Sequence, residues 1–274
     1  MSLVVHRILR YHAQVIEETN SRKIGLARAL SKLGYCSRSK AAELIRAGRV
    51  TLNGTIRHDP DVPVLGTHAK IAVDGTPVER EKKIYLMLNK PRGVVTTSSD
   101  ERGRVTVYSL LNGRSVGTSS PREKLPWLAP VGRLDKASEG LLLLTNDSEW
   151  SARISAPETH LEKTYHVQLG TIADEEFVQE LIRGVKTKDG ELLRAKRARL
   201  LRAGRKNCWL EIVLDEGKNR QIRRMIGDRG IAVLRLIRIA VGSLQLGDLA
   251  KGEYRALTPE EKRMLDRELR EKHL

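Results

Sequence analysis

Apolar side chains follow two kinds of spacing in the first part of the chain. From Ile24 to Leu33 they recur at helical spacing, and Gly34 provides a C-terminal stop. Ser37 is a suitable N-cap for a second helix. The Asn-Gly pair within 50–56 predicts a hairpin, because a type I′ turn needs two residues that tolerate positive φ. These signals predict a compact unit of two helices and a hairpin.

Beyond this unit the spacing is mostly that of strands. The strand-like segments are 85–88, 141–145, 163–169, 195–201, 208–214 and 232–239. The helical segments are 148–154, 173–182 and 220–228, with a short helix expected at 107–111 inside a poorly patterned stretch. Many strands with few helices between them predict an α+β fold with a mostly antiparallel sheet.

Five segments therefore divide the chain. They are an N-terminal extension (1–23), a small α/β unit (24–72), a polar linker (73–83), a larger domain (84–257) and a charged C-terminal helix (258–274). The last helix offers few apolar anchors, so we expect it to be exposed.

The overall charge points to a polyanionic partner. Fifty Lys and Arg residues against 34 Asp and Glu give a formal net charge of +16, and nucleic acid is the commonest partner of such proteins. A membrane surface is the rival, but no apolar run is long enough to span a bilayer. The N-terminal residues lack the apolar stretch of a secretory signal, and two distant cysteines are typical of a reducing compartment. We therefore expect a cytoplasmic protein without a membrane association.

Asp135 is the leading candidate for chemistry. It lies between Arg133 and Lys136, whose charges favour an ionised carboxylate. The leucines at 141–144 predict a strand buried on both faces, which would hold the preceding loop rigidly. The alternative is a turn aspartate that hydrogen-bonds its own backbone. Residue types alone leave both readings open.

A second candidate is Tyr165, in the strand-like segment 163–169. Strand alternation places Tyr165, Val167 and Leu169 on one face and His166 on the other. Tyr165 either packs in the core or meets a substrate base and moves a proton. His166 is a poor catalytic candidate because it points away from that face.

Two groups of cations could bind phosphate. Arg220, Arg223 and Arg224 crowd the start of the helix at 220–228, where each cation opposes the helix dipole at a cost of about 0.3–1 kcal/mol. An anionic partner, either RNA phosphate or the carboxylate of Asp135, would explain them. The small unit carries a second group, formed by Arg38, Lys40, Arg46, Arg49 and Arg57. A solvated basic face is the alternative for both groups.

Several kinds of site have no motif in the sequence. We find no phosphate-binding loop of the Gly-x-x-x-x-Gly-Lys-Ser/Thr type, no dinucleotide-binding Gly-x-Gly-x-x-Gly after a strand, and no His, Cys and Asp spacing suited to a metal. We therefore expect no metal, nucleotide or other cofactor.

The motifs together resemble the pseudouridine synthases of the RsuA/RluB type. The resemblance rests on Arg133-Leu134-Asp135 with the segment 140–147, on Lys163-Thr164-Tyr165, and on the segment 219–225. Residues 86–93 resemble the opening strand and turn of the same catalytic domain, and residues 24–72 resemble the S4 RNA-binding module. Ser138 departs mildly, because the family usually has threonine there.

The resemblance implies isomerisation of a uridine to pseudouridine in structured RNA. Ribosomal RNA is the expected class, and within it the large subunit is preferred over the small one. The uracil would leave the ribose at the N1–C1′ bond, turn, and rejoin through C5. Asp135 would be the nucleophile, Tyr165 would lie against the base, and Arg223 would pair with Asp135. Arg133 would fill the space that the extruded base vacates. Whether Asp135 attacks C1′ of the ribose or C6 of the base stays open.

Basic and polar residues of these motifs are predicted to contact RNA. They are Arg133, Lys90, Arg92, Lys163, Lys218, Asn219, Arg220, Gln221, Arg224, Arg38, Lys40, Arg46 and Arg49. The main alternative function is a non-catalytic S4-domain RNA-binding or ribosome-assembly factor. Hydrolysis of a glycosidic bond is disfavoured, since it needs a second acid and none stands out. We expect a monomer, and the sequence does not name the target uridine.

Overall fold

The computed structural model describes residues 23–65, 69–97, 103–111 and 125–271. The chain forms two compact units, which we treat separately. The first contains residues up to Lys82 together with the short segment Lys124–Leu128, and the second contains Lys83–Glu123 and Ala129–Leu274. The extension at 1–22 and most of the stretch around the 107–111 helix lie outside the described residues.

The first unit has two helices and short strands. Its elements are β1 (Ile24–Gly25), α1 (Leu26–Lys32), α2 (Arg38–Arg46), β2 (Val50–Leu52), β3 (Thr55–Arg57), β4 (Pro63–Val64), β5 (Ile71–Val73) and β6 (Thr76–Pro77). Ser37 caps α2 as predicted, since its side chain accepts a hydrogen bond from the amide of Lys40. Asn53 and Gly54 have φ of 52° and 82°, which confirms the predicted hairpin turn.

Two boundaries of the first unit differ from the prediction. Strands β3, β2, β5 and β6 form one sheet in that order, so the sheet continues through Pro77 into the segment predicted as a linker from residue 73. Ile24 pairs with Val64 in a small two-stranded sheet and does not begin the first helix. Both errors arise from pairing partners that lie far along the chain and leave no local signal.

The second unit is built around a large mixed sheet. Its strands are β7 (Tyr85–Lys90), β8 (Ala129–Val131), β9 (Glu139–Thr145), β10 (Lys163–Leu169), β11 (Val185–Lys186), β12 (Leu192–Leu193), β13 (Arg197–Ala203), β14 (Cys208–Leu214), β15 (Val233–Val241), β16 (Leu244–Gln245) and β17 (Tyr254–Ala256). Its helices are α3 (Val107–Leu111), α4 (Ser148–Ser155), α5 (Glu175–Arg183), α6 (Gln221–Gly227) and α7 (Pro259–Glu271).

Strand order in the large sheet is β13-β14-β10-β15-β9-β7-β17, with β16 beside β15 and β8 beside β9. Every pairing is antiparallel except that of β15 with β9, which is parallel and joins only two residue pairs. The predicted α+β class with a mostly antiparallel sheet is therefore confirmed. All seven residues of β9 are buried, as expected for a central strand covered on both faces.

The C-terminal helix α7 is anchored, which corrects the expectation that it is exposed. Leu265 and Leu269 are fully or almost fully buried, and they pack with Trp150 of α4 and Leu161. The indole Nε1 of Trp150 donates to Oδ1 of Asp266 at 2.9 Å. Two leucines at i and i+4 thus suffice to hold an otherwise charged helix against the sheet. The helix is part of the second unit's core.

Truncation of one anchor tests this packing. We expect Leu265→Ala to lower the free energy of unfolding by about 2–5 kcal/mol, because it leaves a cavity in the core. The neighbouring Met264, which is 45% exposed, provides a control. Met264→Ala should change the same quantity by no more than about 0.5 kcal/mol. Urea denaturation measures both, and equal effects of the two substitutions would contradict the packing described here.

None of the helices in the described part of the chain is long and apolar enough to cross a membrane.

Candidate active site

Asp135 lies in the loop between β8 and β9, at the wall of a cleft in the second unit. Arg133, Ser138, Lys163 and Tyr165 line the same cleft. The side chain of Asp135 retains 33% of its exposure. A substrate group that enters the cleft can therefore reach the carboxylate. This location is consistent with a reactive carboxylate. The alternative, a turn aspartate that only hydrogen-bonds its own backbone, is not needed to explain it.

The backbone of the Asp135 loop is held at each of five consecutive carbonyl groups. Those of residues 134–138 accept hydrogen bonds from Thr96, Lys90, Gly93, Arg223 and again Lys90, in that order. The amide of Ser138 also donates to the carbonyl of Asp135 at 3.0 Å. A loop fixed at every carbonyl has few alternative conformations, so the carboxylate is carried on a rigid support.

Lys90 holds this loop from inside the protein, which corrects its predicted role in RNA binding. The side chain is fully buried. Its Nζ donates to the carbonyls of Pro91, Asp135 and Ser138 at 2.8–3.1 Å. Burial lowers the pKa of Lys90 to about 8, against the opposing influence of Asp135 and Glu139. RNA cannot contact a lysine in this position, so its function is to support the loop.

We expect Lys90→Met to lower the free energy of unfolding by about 2–4 kcal/mol, because carbonyls that accept from Lys90 lose their donor. An unfolded lysine has a pKa of about 10.4, above the folded value, so the unfolded state binds more protons between these two values. Wild-type stability should therefore rise relative to Lys90→Met as the pH increases from 8 to about 10. Urea denaturation at both pH values, with the exposed Lys186→Met as control, measures this. A pH-independent difference would contradict the buried ammonium.

Arg220 is the direct partner of Asp135. Its Nη1 donates to Oδ2 of Asp135 at 3.1 Å. Arg220 precedes α6 with φ of 49°, an uncommon left-handed conformation for a residue other than glycine. The resemblance assigned this pairing to Arg223, so the assignment is corrected. The cations at the start of α6 were expected to have an anionic partner. For Arg220 that partner is the carboxylate of Asp135.

Arg223 connects the Asp135 loop to the start of β15. Its Nη2 donates to the carbonyl of Ala137 at 3.0 Å and its Nη1 to that of Val233 at 3.4 Å. Burial lowers the pKa of Arg223, Arg220 acts in the same direction, and Asp135 raises it. The guanidinium group is thus close enough to Asp135 for their charges to interact. Arg223 therefore positions the loop, and its charge acts on the carboxylate without a direct hydrogen bond.

Tyr165 lies on the cleft side of β10. Val167 and Leu169, two and four residues further along β10, are fully buried in the core on that face, and Tyr165 is partly exposed at its edge. His166 is directed elsewhere, with Nε2 3.4 Å from Oε2 of Glu211. Tyr165 combines the two readings of the sequence, since its ring packs on the core and also lines the cleft.

Two residues of the segment 219–225, Gln221 and Arg224, and the preceding Lys218 are engaged by the protein and depart from the predicted RNA contacts. Gln221 is buried and donates to the carbonyl of Arg194 and to Glu216. Arg224 pairs with Asp189 and Glu191 at 2.7 Å. Lys218 lies 3.2 Å from Glu191 and 3.4 Å from Glu216. These contacts brace the start of α6, and they neutralise charge that the sequence suggested for phosphate.

Other predicted RNA contacts remain at the surface of the second unit. Arg133 and Asn219 are exposed, and Lys163 is half-buried in the cleft. Arg92 is exposed and donates to the carbonyl of Leu234 at 3.3 Å. The exposed side chains of Arg133, Asn219 and Arg92 can reach a polyanion, and the role of all four residues in RNA binding stays a prediction.

The basic cluster of the first unit is partly neutralised. Arg49 pairs with Asp74, and Lys40 pairs with Glu43 at 2.9 Å. Arg38 and Arg46 are exposed. Exposed ion pairs contribute little energy and exchange readily with other partners. The cluster thus keeps the capacity to bind phosphate, which stays a prediction.

Arg238 is a cleft residue that the sequence analysis missed. It lies in β15, lines the same cleft, and exposes only 6% of its surface. The available signal was a charged residue inside an apolar strand, next to Ile237 and Ile239. Within the described ranges, no group of three or more His, Cys, Asp or Glu residues could hold a metal ion.

Comparisons with known proteins agree with this geometry. Residues 84–227 match the family model described as RNA pseudouridylate synthase, and residues 24–69 match the S4 domain. The chain is 36% identical to ribosomal large subunit pseudouridine synthase B of Bacillus subtilis, over 88% of this chain and 94% of that protein. It is 35% identical to an RNA pseudouridine synthase of Aquifex aeolicus, over 86% of this chain and 90% of that one.

Solved structures give the same answer. A crystal structure of a pseudouridylate synthase is 30% identical, with a TM-score of 0.58 over 88% of this chain and 99% of that chain. The resemblance identified from the motifs is confirmed. The chain belongs to the RNA pseudouridine synthase family of isomerases, and it carries an S4 domain on the N-terminal side of its catalytic domain.

Proposed function

We propose that this enzyme isomerises a specific uridine in large-subunit ribosomal RNA, with Asp135 as the nucleophile. The observation that carries the proposal is the accessible carboxylate of Asp135, paired with Arg220 on a loop fixed at five consecutive carbonyls. Covalent catalysis needs a nucleophile held at one place and one orientation. The loop provides this, and Arg220 orients the attacking oxygen.

Other residues of the cleft support the same reaction. A uridine in folded RNA must leave its stack to reach the cleft, at a cost of a few kcal/mol. Contacts from Arg133, Arg92 and the first unit's basic cluster to phosphates can offset this cost. Tyr165 then provides a ring for the extruded base. The N1–C1′ and C5–H bonds are replaced by C5–C1′ and N1–H bonds, so the isomerisation needs no oxidant, reductant or group donor.

The choice of ribosomal RNA rests on the likeness to the Bacillus subtilis protein and on the S4 domain. A non-catalytic binding or assembly factor is the alternative. Such a factor gains nothing from an acid among its phosphate contacts, since a carboxylate repels phosphate. We propose further that the enzyme acts as a monomer in the cytoplasm.

Tritium release provides the test. Transcripts of large-subunit RNA, small-subunit RNA and transfer RNAs are labelled at C5 of uridine, and isomerisation exchanges that hydrogen with water. We expect release from a large-subunit transcript at one stoichiometric site, and mapping of pseudouridines should locate it. Release only from another RNA would overturn the large-subunit assignment. Tight binding without release from any of these RNAs would favour the binding factor.

A further inference from the structure

Arg238 occupies a central position beside the Asp135 loop. In the large sheet it pairs with Tyr165 of β10 on one side and with Gly140 of β9 on the other. Gly140 has φ of +101°, and a Cβ there would lie 2.2 Å from the carbonyl oxygen of Arg238. Only glycine therefore permits this close approach. The approach brings the strand that follows Asp135 directly against Arg238.

The guanidinium group of Arg238 is buried without a carboxylate partner. Its Nε donates to the carbonyl of Leu141 at 2.7 Å, which fixes the direction of the side chain. Among the described residues no Asp or Glu oxygen lies within 4.0 Å of it. Burying an unpaired charge costs several kcal/mol. Arg238 lines the cleft, and its Nη groups make no hydrogen bond to the described residues, so they are suited to an electron-rich ligand group.

Arg235, three residues earlier in the same strand, shows the usual arrangement. It makes two hydrogen bonds of 3.1 Å to the carboxylate of Glu139, and its guanidinium group lies 5.5 Å from the centre of the Trp209 ring. Both its charge and its planar face have protein partners. In the described part of the chain Arg238 has no such partners although it is more deeply buried, so packing alone does not account for it.

The depth of Arg238 indicates which part of a nucleotide it would meet. Leu143, Leu236 and Val241 provide apolar lining in the same cleft, whereas Arg133 is exposed. Apolar lining suits a flat base, and an exposed cation suits a phosphate. Uracil carries two carbonyl oxygens, O2 and O4, that accept hydrogen bonds.

We infer that Arg238 donates to a carbonyl oxygen of the extruded uracil and stabilises the negative charge that develops on it. This inference rests on the proposed function. When the N1–C1′ bond breaks, its electron pair stays on uracil and spreads over N1, O2 and O4. C5 then bonds to C1′, Asp135 is released from the nucleotide, the proton on C5 leaves, and N1 takes up a proton, which gives neutral pseudouridine. A buried cation at a carbonyl oxygen lowers the energy of the charged base, so Arg238 is a catalytic residue.

Substitution of Arg238 tests the inference. We expect Arg238→Met to lower the single-turnover rate of tritium release at saturating RNA by about 100-fold or more, as for loss of one donor to a developing anion. The Kd for the transcript should change by less than about threefold, because the phosphate contacts remain. Arg238→Lys keeps the charge and should recover about tenfold of the lost rate. Arg202→Met removes an exposed cation outside the cleft and should leave the rate unchanged. A folded Arg238→Met with the wild-type rate would overturn the inference.

A change in the base identifies the contact itself and does not depend on Arg238→Met being folded. Sulfur accepts hydrogen bonds poorly, so 2-thiouridine or 4-thiouridine is placed in the shortest active transcript fragment. One of the two thiouridines should lower the single-turnover rate of the wild-type enzyme by about tenfold. The same replacement should lower the rate of Arg238→Lys by a smaller factor. Equal factors for both proteins, or no effect on wild type, would overturn the contact. If wild type releases tritium from no RNA, the proposed function fails, whereas an active Arg238→Met defeats only this inference.

Discussion

Asp135→Asn is expected to lower the single-turnover rate of pseudouridine formation by about four orders of magnitude or more, the usual scale for loss of a nucleophile. Asparagine has the same shape and can still accept a hydrogen bond from Arg220. It cannot form the ester that an attacking carboxylate oxygen makes. Tritium release from a labelled ribosomal transcript measures the rate.

RNA affinity should separate this effect from a loss of binding. We expect the Kd of Asp135→Asn for the same transcript to stay within about threefold of wild type, since the carboxylate makes no favourable contact with phosphate. Asp248→Asn is a matched control, because Asp248 is exposed and does not line the cleft. The control should keep the wild-type rate. Modification at the wild-type rate by Asp135→Asn would contradict the assignment of Asp135 as the nucleophile.

Arg223→Lys is expected to lower the same rate by about 100-fold. A single ammonium group cannot bridge the carbonyls of Ala137 and Val233 as the two Nη atoms do. The Asp135 loop would then lose one of its fixed carbonyls, and a shift of about 1 Å in the nucleophile costs about two orders of magnitude.

Arg220→Lys provides the comparison. Lysine can keep a single hydrogen bond to Oδ2 of Asp135, so we expect a loss of only about tenfold. Measurements of kcat and KM for both variants distinguish positioning from binding. A rate for Arg223→Lys within about threefold of wild type would show that the bridge is dispensable.

Local patterns predicted most of the fold. The alternation in 163–169 and the apolar run in 141–144 located two central strands, and Ser37 located a helix start, because each signal lies within a few residues of the structure it determines. The C-terminal helix was placed at the surface for the opposite reason. Leu265 and Leu269 are separated by charged residues in the sequence, and their contribution depends on their contact with Trp150 in the core.

The site was predicted in part. The motifs located the loop of Asp135 and the strand of Tyr165, but they did not assign the contacts within the site. Lysine is rarely buried, so nothing local indicates that Lys90 supports the loop from inside. The left-handed conformation of Arg220, which precedes the helix containing Arg223, is likewise set by the tertiary structure. The contacts within the site therefore depend on residues far apart in the chain, which the spacing of residues in the sequence does not indicate.

Covalent trapping tests the central claim most directly. Fluorine at C5 withdraws electrons, which slows the new bond from C5, and it cannot leave as a proton does, so RNA that contains 5-fluorouridine at the target should halt the enzyme while it is joined to the nucleotide. Protease digestion and mass spectrometry then locate the added nucleotide mass. We expect it on the peptide that contains Asp135, through a side-chain oxygen of that residue. The same mass on a peptide that lacks Asp135 would contradict the account.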